Sequence, residues 1–159
     1  MISLKKQSKG FTIVELLIVI VVIGILAGLV ITTYNGIQQK ARNTERQTDL
    51  KALQGQLEAY TAQNGRYPST ADLGTTSASN VTFIQANMKG LDKEALRDPK
   101  AAAGNYSLAS TPTANEYSYA PTNDAGTACD DSGTNDCTHY VLTAEQEGGG
   151  ANIVFNSLN

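Results

Sequence analysis

Glu15 is the residue that most needs a chemical reason. From Leu16 to Ile31 every residue is apolar or glycine, and Glu15 stands at the head of that run, four residues after Phe11. A carboxylate within an apolar helix costs about 2.5–3.5 kcal/mol at mid-bilayer and less near the bilayer edge, so it calls for a cationic partner or a polar boundary. The other candidates for chemistry lie late in the chain. Cys129 and Cys137 are the only cysteines. In a chain that crosses a membrane such a pair reads as a disulfide made in an oxidising compartment, and closing so small a loop stabilises by roughly 2.5 kcal/mol in the chain-entropy model. Asp130, Asp131 and Asp136 lie in that loop, with Asp124 just before it. Clustered carboxylates with Asn and Thr oxygens can hold Ca²⁺, but the Asp-x-Asp-x-Asp-Gly spacing is absent, and an acidic solvated loop is the plainer reading. A zinc site built on Cys129, Cys137 and His139 lacks a fourth ligand. His139 is the only histidine, and neither a Gly-x-x-x-x-Gly-Lys-Ser/Thr loop nor a Gly-x-Gly-x-x-Gly fingerprint is present. Neither catalysis nor a cofactor is expected.

The elements that must position Glu15 come first in the chain. Residues 1–10 are short and basic, with Lys5, Lys6 and Lys9, and Phe11 to Ile31 follows as 21 residues without a cation. As a helix this stretch is about 31 Å long, close to the hydrocarbon thickness of a bilayer. The three lysines directly before it favour a cytoplasmic N-terminus and an external C-terminal part; Lys40, Arg42 and Arg46 start nine residues beyond the span. An ordinary secretory signal places a small-residue cleavage site after its apolar stretch, whereas here Gly10 precedes it. Of the 12 basic residues, three lie in the first ten; without that segment 9 would face 15 acidic ones, a charge of −6. So acidic a chain is not expected to bind nucleic acid, whose affinity comes mostly from cations on phosphates.

Lys9-Gly10-Phe11-Thr12-Ile13-Val14-Glu15-Leu16-Leu17 resembles the N-terminal motif of type IV prepilins and the related pseudopilins of type II secretion. The resemblance implies that a prepilin peptidase cuts between Gly10 and Phe11 on the cytoplasmic side and N-methylates Phe11. It implies that Glu15 neutralises the Phe11 amine of a neighbouring subunit. Two unit charges about 4 Å apart interact by roughly 4 kcal/mol at an effective dielectric of 20, enough to favour one stagger of subunits over others. The implied partners are further copies of the chain in a helical filament, the peptidase, an assembly platform with its ATPase, and membrane lipid before assembly. Gly24 and Gly28 form a Gly-x-x-x-Gly pair that suits close helix approach, a melted segment in the filament as the resemblance suggests, or simple tolerance of glycine. Many pilins have a proline further along this helix; here position 32 is Thr32.

Beyond Thr33 the chain turns polar without a breaker until Asn64-Gly65, and Leu50, Leu53, Leu57 and Tyr60 recur at helical spacing. One helix is expected from Phe11 to Asn64, with Arg42, Glu45, Arg46, Asp49, Lys51 and Glu58 on a solvated face and Gly65 and Pro68 as the stop. Ser69 to Asn80 reads as a polar loop, 81–88 as a short helix or strand, and 91–96 as a short helix. Strands are expected at 105–108, 116–120, 139–144 and 152–155. The fold class is α+β: a long N-terminal helix packed on a small antiparallel sheet. The expected divisions are a leader at 1–10, a membrane and filament-core helix at 11–34, its amphipathic continuation at 35–64, and a head at 65–159.

The first reading is a type IV pilin, a structural subunit held in the cytoplasmic membrane before assembly and at the cell surface afterwards, serving adhesion, motility or DNA uptake. The disulfide-closed loop tilts the balance towards it. The alternatives are a pseudopilin of a type II secretion or competence machine, and a minor tip subunit acting as a binding module, which Glu15 disfavours.

Overall fold

The computed structural model describes residues 10–73, 76–130, 133 and 135–159; the leader lysines and Asp131 lie outside them. Helix α1 runs Ile13–Asn64. Gly65 ends it: its backbone takes φ 77°, and its N–H donates to Thr61 O at 2.7 Å. That left-handed C-terminal cap favours glycine because no Cβ is in the way. Chain contacts divide the protein into two compact units, Met1–Gln38 and Gln39–Asn159.

In the first unit, the large apolar side chains of α1 from Ile13 to Ile37 are exposed. The helix is long and apolar enough to cross a membrane, as the sequence predicts.

In the second unit the helical stripe does what its spacing foretells. Leu50, Leu53, Leu57 and Tyr60 are buried against a core that includes Ile84, Met88, Leu96 and Leu142. Tyrosines supply much of the remaining volume. Tyr67 packs edge-on to Tyr140 with ring centres 4.7 Å apart, and Tyr119 lies 5.8 Å from the same ring; such pairs add stability beyond the area they bury.

Helix α2, Thr70–Leu73, and the first turn of helix α3, Ser77–Asn87, occupy the stretch expected to be a polar loop, and the rest of α3 is the helical one of the two readings of 81–88. Helix α2 begins in a reciprocal cap: Asp72 N–H donates to Ser69 Oγ at 3.2 Å and Ser69 N–H to Asp72 Oδ2 at 3.0 Å. Helix α3 starts from Thr76, whose hydroxyl accepts Ser79 N–H at 3.2 Å. Capping residues that read as loop formers therefore start helices here. A 3₁₀ turn follows at Lys93–Leu96.

Strands β1 Leu108–Ala109, β2 Tyr117–Thr122, β3 His139–Ala144 and β4 Ile153–Asn156 form one sheet in that order. The α+β class holds, but the sheet is mixed. β2, β3 and β4 are antiparallel, whereas β1 runs parallel to β2. The link between them turns back at Thr113 against Glu116, with Asn115 at φ 60°, directly before β2. β2 also continues past its expected end through Pro121, which pairs with Tyr140. Because β1 pairs only with Tyr117 and Ser118, the β1 side of β2 makes no ladder demand at Pro121, a position proline tolerates.

Candidate functional site

The N-terminal residues place Glu15 in a local arrangement. Gly10, Phe11 and Thr12 precede α1 and are exposed. Thr12 N–H and Thr12 Oγ1 donate to Glu15 Oε2 at 2.8 and 2.7 Å, and Glu15 N–H returns a bond to Thr12 Oγ1 at 3.2 Å. This is a capping box: threonine before the first turn and glutamate three residues on satisfy each other's backbone donors. The Thr-x-x-Glu spacing was legible, yet the sequence reading attended only to the charge of Glu15. In this conformation the carboxylate is held by its own chain, one helical turn from the backbone nitrogen of Phe11.

The polar face of α1 within the second unit departs from expectation. Arg46, read as solvated, is buried at 1% exposure. Its guanidinium donates to both carboxylate oxygens of Asp98, at 2.6 and 3.0 Å, to Asn43 Oδ1 at 2.8 Å and to Glu147 Oε1 at 3.0 Å. Arg42 grips Glu147 through two bonds of 2.7 and 2.6 Å, and Lys100 Nζ lies 3.7 Å from the same carboxylate. Asn43 binds the backbone N–H and C=O of Glu147. The β3–β4 connection is thereby clasped to α1. Hydrogen bonds from Arg42 hold the Glu147 carboxyl down at about 2.

Asp49 and Glu58 on the same helix also face inward. Asp49 Oδ2 accepts the Tyr117 hydroxyl at 2.7 Å, and burial pushes its pKa up to about 6. Glu58 accepts the hydroxyls of Tyr67 and Tyr140 at 2.8 Å each and the backbone N–H of Leu158 at 3.2 Å. Spacing places Arg46, four residues before Leu50, on the same helix face as the core stripe, but its charge reads as solvated until Asp98 and Glu147 are seen pairing it.

Cys129 and Cys137 form the expected disulfide, with Cα atoms 5.2 Å apart. Cys137 is fully buried, and its carbonyl accepts Tyr67 N–H at 2.8 Å, which ties the loop to the segment after α1. Asn123 Nδ2 and Asn135 Oδ1, 2.6 Å apart, brace the same loop. Of the weak calcium candidates, Asp131 lies outside the described residues. Among the described residues no group of three His, Cys, Asp or Glu side chains stands ready to hold a metal. His139 Nδ1 lies 3.8 Å from Asp124 Oδ1, both side chains well exposed, and 3.0 Å from Thr138 Oγ1.

An exposed apolar helix led by a capped glutamate and a Gly-Phe junction defines a prepilin-type N-terminus, and residues 5–31 match the family model of the prokaryotic N-terminal methylation motif. The chain thus carries a prokaryotic N-terminal methylation motif over residues 5–31. It is 39% identical over 67 residues to type II secretion system core protein G of Dickeya chrysanthemi, a match covering 42% of this chain and 44% of that protein. The protein of the same name from Klebsiella pneumoniae is 42% identical over 65 residues, 41% of this chain and 46% of the relative; that from Pseudomonas aeruginosa is 38% identical over 66 residues, 42% and 46%. The chain spans less than half the length of the curated relatives it matches. No solved structure matches it.

Proposed function

We propose that this chain is a pseudopilin of a type II secretion machine: a structural subunit made as a prepilin, cut between Gly10 and Phe11, methylated on Phe11, and assembled through its N-terminal helix into a short filament. The order of the two leading readings is thereby reversed relative to the sequence, which put a type IV pilin first. The observation that carries the reversal is the length of the likeness. The methylation motif spans residues 5–31 and is common to pilins and pseudopilins, but the matches to core protein G run over 65 to 67 residues, well beyond it. The disulfide does not separate the two readings, since both place the C-terminal unit outside the cytoplasmic membrane.

In this reading the helix spans the cytoplasmic membrane before assembly, N-terminus inside and C-terminal unit in the periplasm. Its partners are further copies of itself, a prepilin peptidase, and the platform and ATPase of the machine. Deleting the gene and measuring exported protein in the medium and the periplasm tests the proposal. Periplasmic retention reversed by the wild-type gene supports it. Unchanged secretion, with long sheared surface fibres made mainly of this chain, would return the pilin reading to first place.

A further inference from the structure

The last turns of α1 and the C-terminal end of α3 converge on a groove of about 390 Å³ lined by Gln56, Ala59, Tyr60, Gln63, Asn64, Ala86, Asn87 and Lys89. Half of those eight side chains are primary amides, against 21 of 159 residues in the whole chain, so the groove is enriched about fourfold. No carboxylate lines it, although the chain carries 15. We propose that this groove binds a neutral saccharide.

Two of the amides are already fixed in place. Asn64 and Asn87, the last residues of α1 and α3, donate Nδ2 to the carbonyls of Tyr60 and Phe83, each at 2.9 Å. Each bond uses one of the two N–H donors, so a second donor and the side-chain carbonyl stay available. Gln56 is half-buried, and a Cβ on Gly90 would stand 2.9 Å from its Nε2, so glycine there leaves the amide its room. Side chains ordered before binding lose less entropy when a ligand arrives. Tyr60, in the lining, packs against Phe83 in a tilted arrangement with ring centres 5.6 Å apart.

The chemistry selects the ligand class. A primary amide donates and accepts side by side, which matches adjacent hydroxyls or an acetamido group. The single cation, Lys89, is exposed and has no second cation in the lining to make a phosphate site. An extended peptide would call for a free strand edge or apolar pockets for its side chains, and two helix ends offer neither. The volume lies at the low end of the 300–1,000 Å³ usual for small-molecule sites, room for one or two sugar rings. The inference stands on the C-terminal unit alone and does not depend on the filament reading.

The test uses the full ¹⁵N-labelled chain in phosphocholine micelles, since glycoside detergents would compete. The side-chain amide signals are followed while adding the β-1,4 trimer of N-acetylglucosamine in one arm and maltotriose in the other, up to about 10 mM, beyond the millimolar range of weak association. Saturable shifts confined to the NH₂ signals of Gln56, Gln63, Asn64 and Asn87 support the proposal. The arm that gives them says whether an amino sugar or a plain glucan is preferred. Gln63→Ala and Asn87→Ala, both exposed, should each weaken binding about three- to tenfold, as loss of a neutral hydrogen bond does, with Tm unchanged. No saturable shift with either sugar, or wild-type affinity in both variants, overturns it.

Discussion

Two demands meet on the Glu15 carboxylate. Within the chain it caps α1 by accepting the N–H and hydroxyl of Thr12; in a filament it would turn to the cationic amine that cleavage creates on a neighbour's Phe11. A single carboxylate has two oxygens and about four acceptor positions, so the two duties can share it. Glu15→Ala removes both and should leave processing intact while abolishing filament assembly. Thr12→Ala removes only the cap, a loss of about 1 kcal/mol of helix start, and should retain partial assembly. Cross-linked multimers in membrane fractions measure both; normal multimer yield from Glu15→Ala would remove the residue from the assembly account. Asp49 and Glu147 give stability a pH dependence of opposite signs. Burial raises Asp49 from 3.8 to about 6, so its penalty is present at pH 7 and fades as pH falls through 6. Its half-exposed site reduces the effect to on the order of 1 kcal/mol. Glu147, lowered from 4.5 to about 2, contributes stability above its unfolded value that is lost as pH falls through its folded one. Urea midpoints should therefore rise from pH 7 to about pH 5.5 and fall below about pH 4.5. Asp49→Asn should flatten the upper rise; a rise that survives in that variant refutes its cause.

At the scale of elements, legibility followed periodicity. The Leu50-Leu53-Leu57-Tyr60 stripe and the alternation of His139–Ala144 appear in the structure as α1 and β3 with the expected faces buried, because spacing alone decides which side meets the core. Helix α2 and the first turn of α3 were missed because Ser69, Asp72 and Thr76 look like loop residues until their side chains are seen closing a first turn. The parallel pairing of β1 was out of reach, since a strand of two residues, Leu108–Ala109, is too short to carry an alternation that marks it. Arg46 and Glu58 were misplaced because burying a charge requires partners more than 50 residues away in sequence, Asp98 for one and Tyr140 for the other. The disulfide was legible from a lone pair of cysteines in a chain expected to cross a membrane. Replacing Cys129 and Cys137 together by serine should lower unfolding free energy by about 2.5 kcal/mol under non-reducing conditions. Urea melts of the variant and the wild type, each with and without reductant, measure it, and an equal response of both to reductant would contradict it.

At the scale of the molecule, one helix carries two kinds of surface. The apolar half of α1 is exposed along its length and is long and apolar enough to cross a membrane. The unit from Gln39 keeps a core of its own, held by the Arg46–Asp98 and Glu147 clasp. The sequence motif left pilin and pseudopilin open, since the resemblance gives both the leader, the apolar run and Glu15; the longer likeness to core protein G supports the pseudopilin proposal. The claim beneath both readings is that the first ten residues are removed and the new N-terminus is modified. Intact mass with N-terminal peptide mapping of the chain purified from its native membranes tests it most directly. The account predicts a chain beginning at Phe11 and carrying one added methyl group. A chain that retains Met1 to Gly10, or one cut after the apolar run, would contradict it.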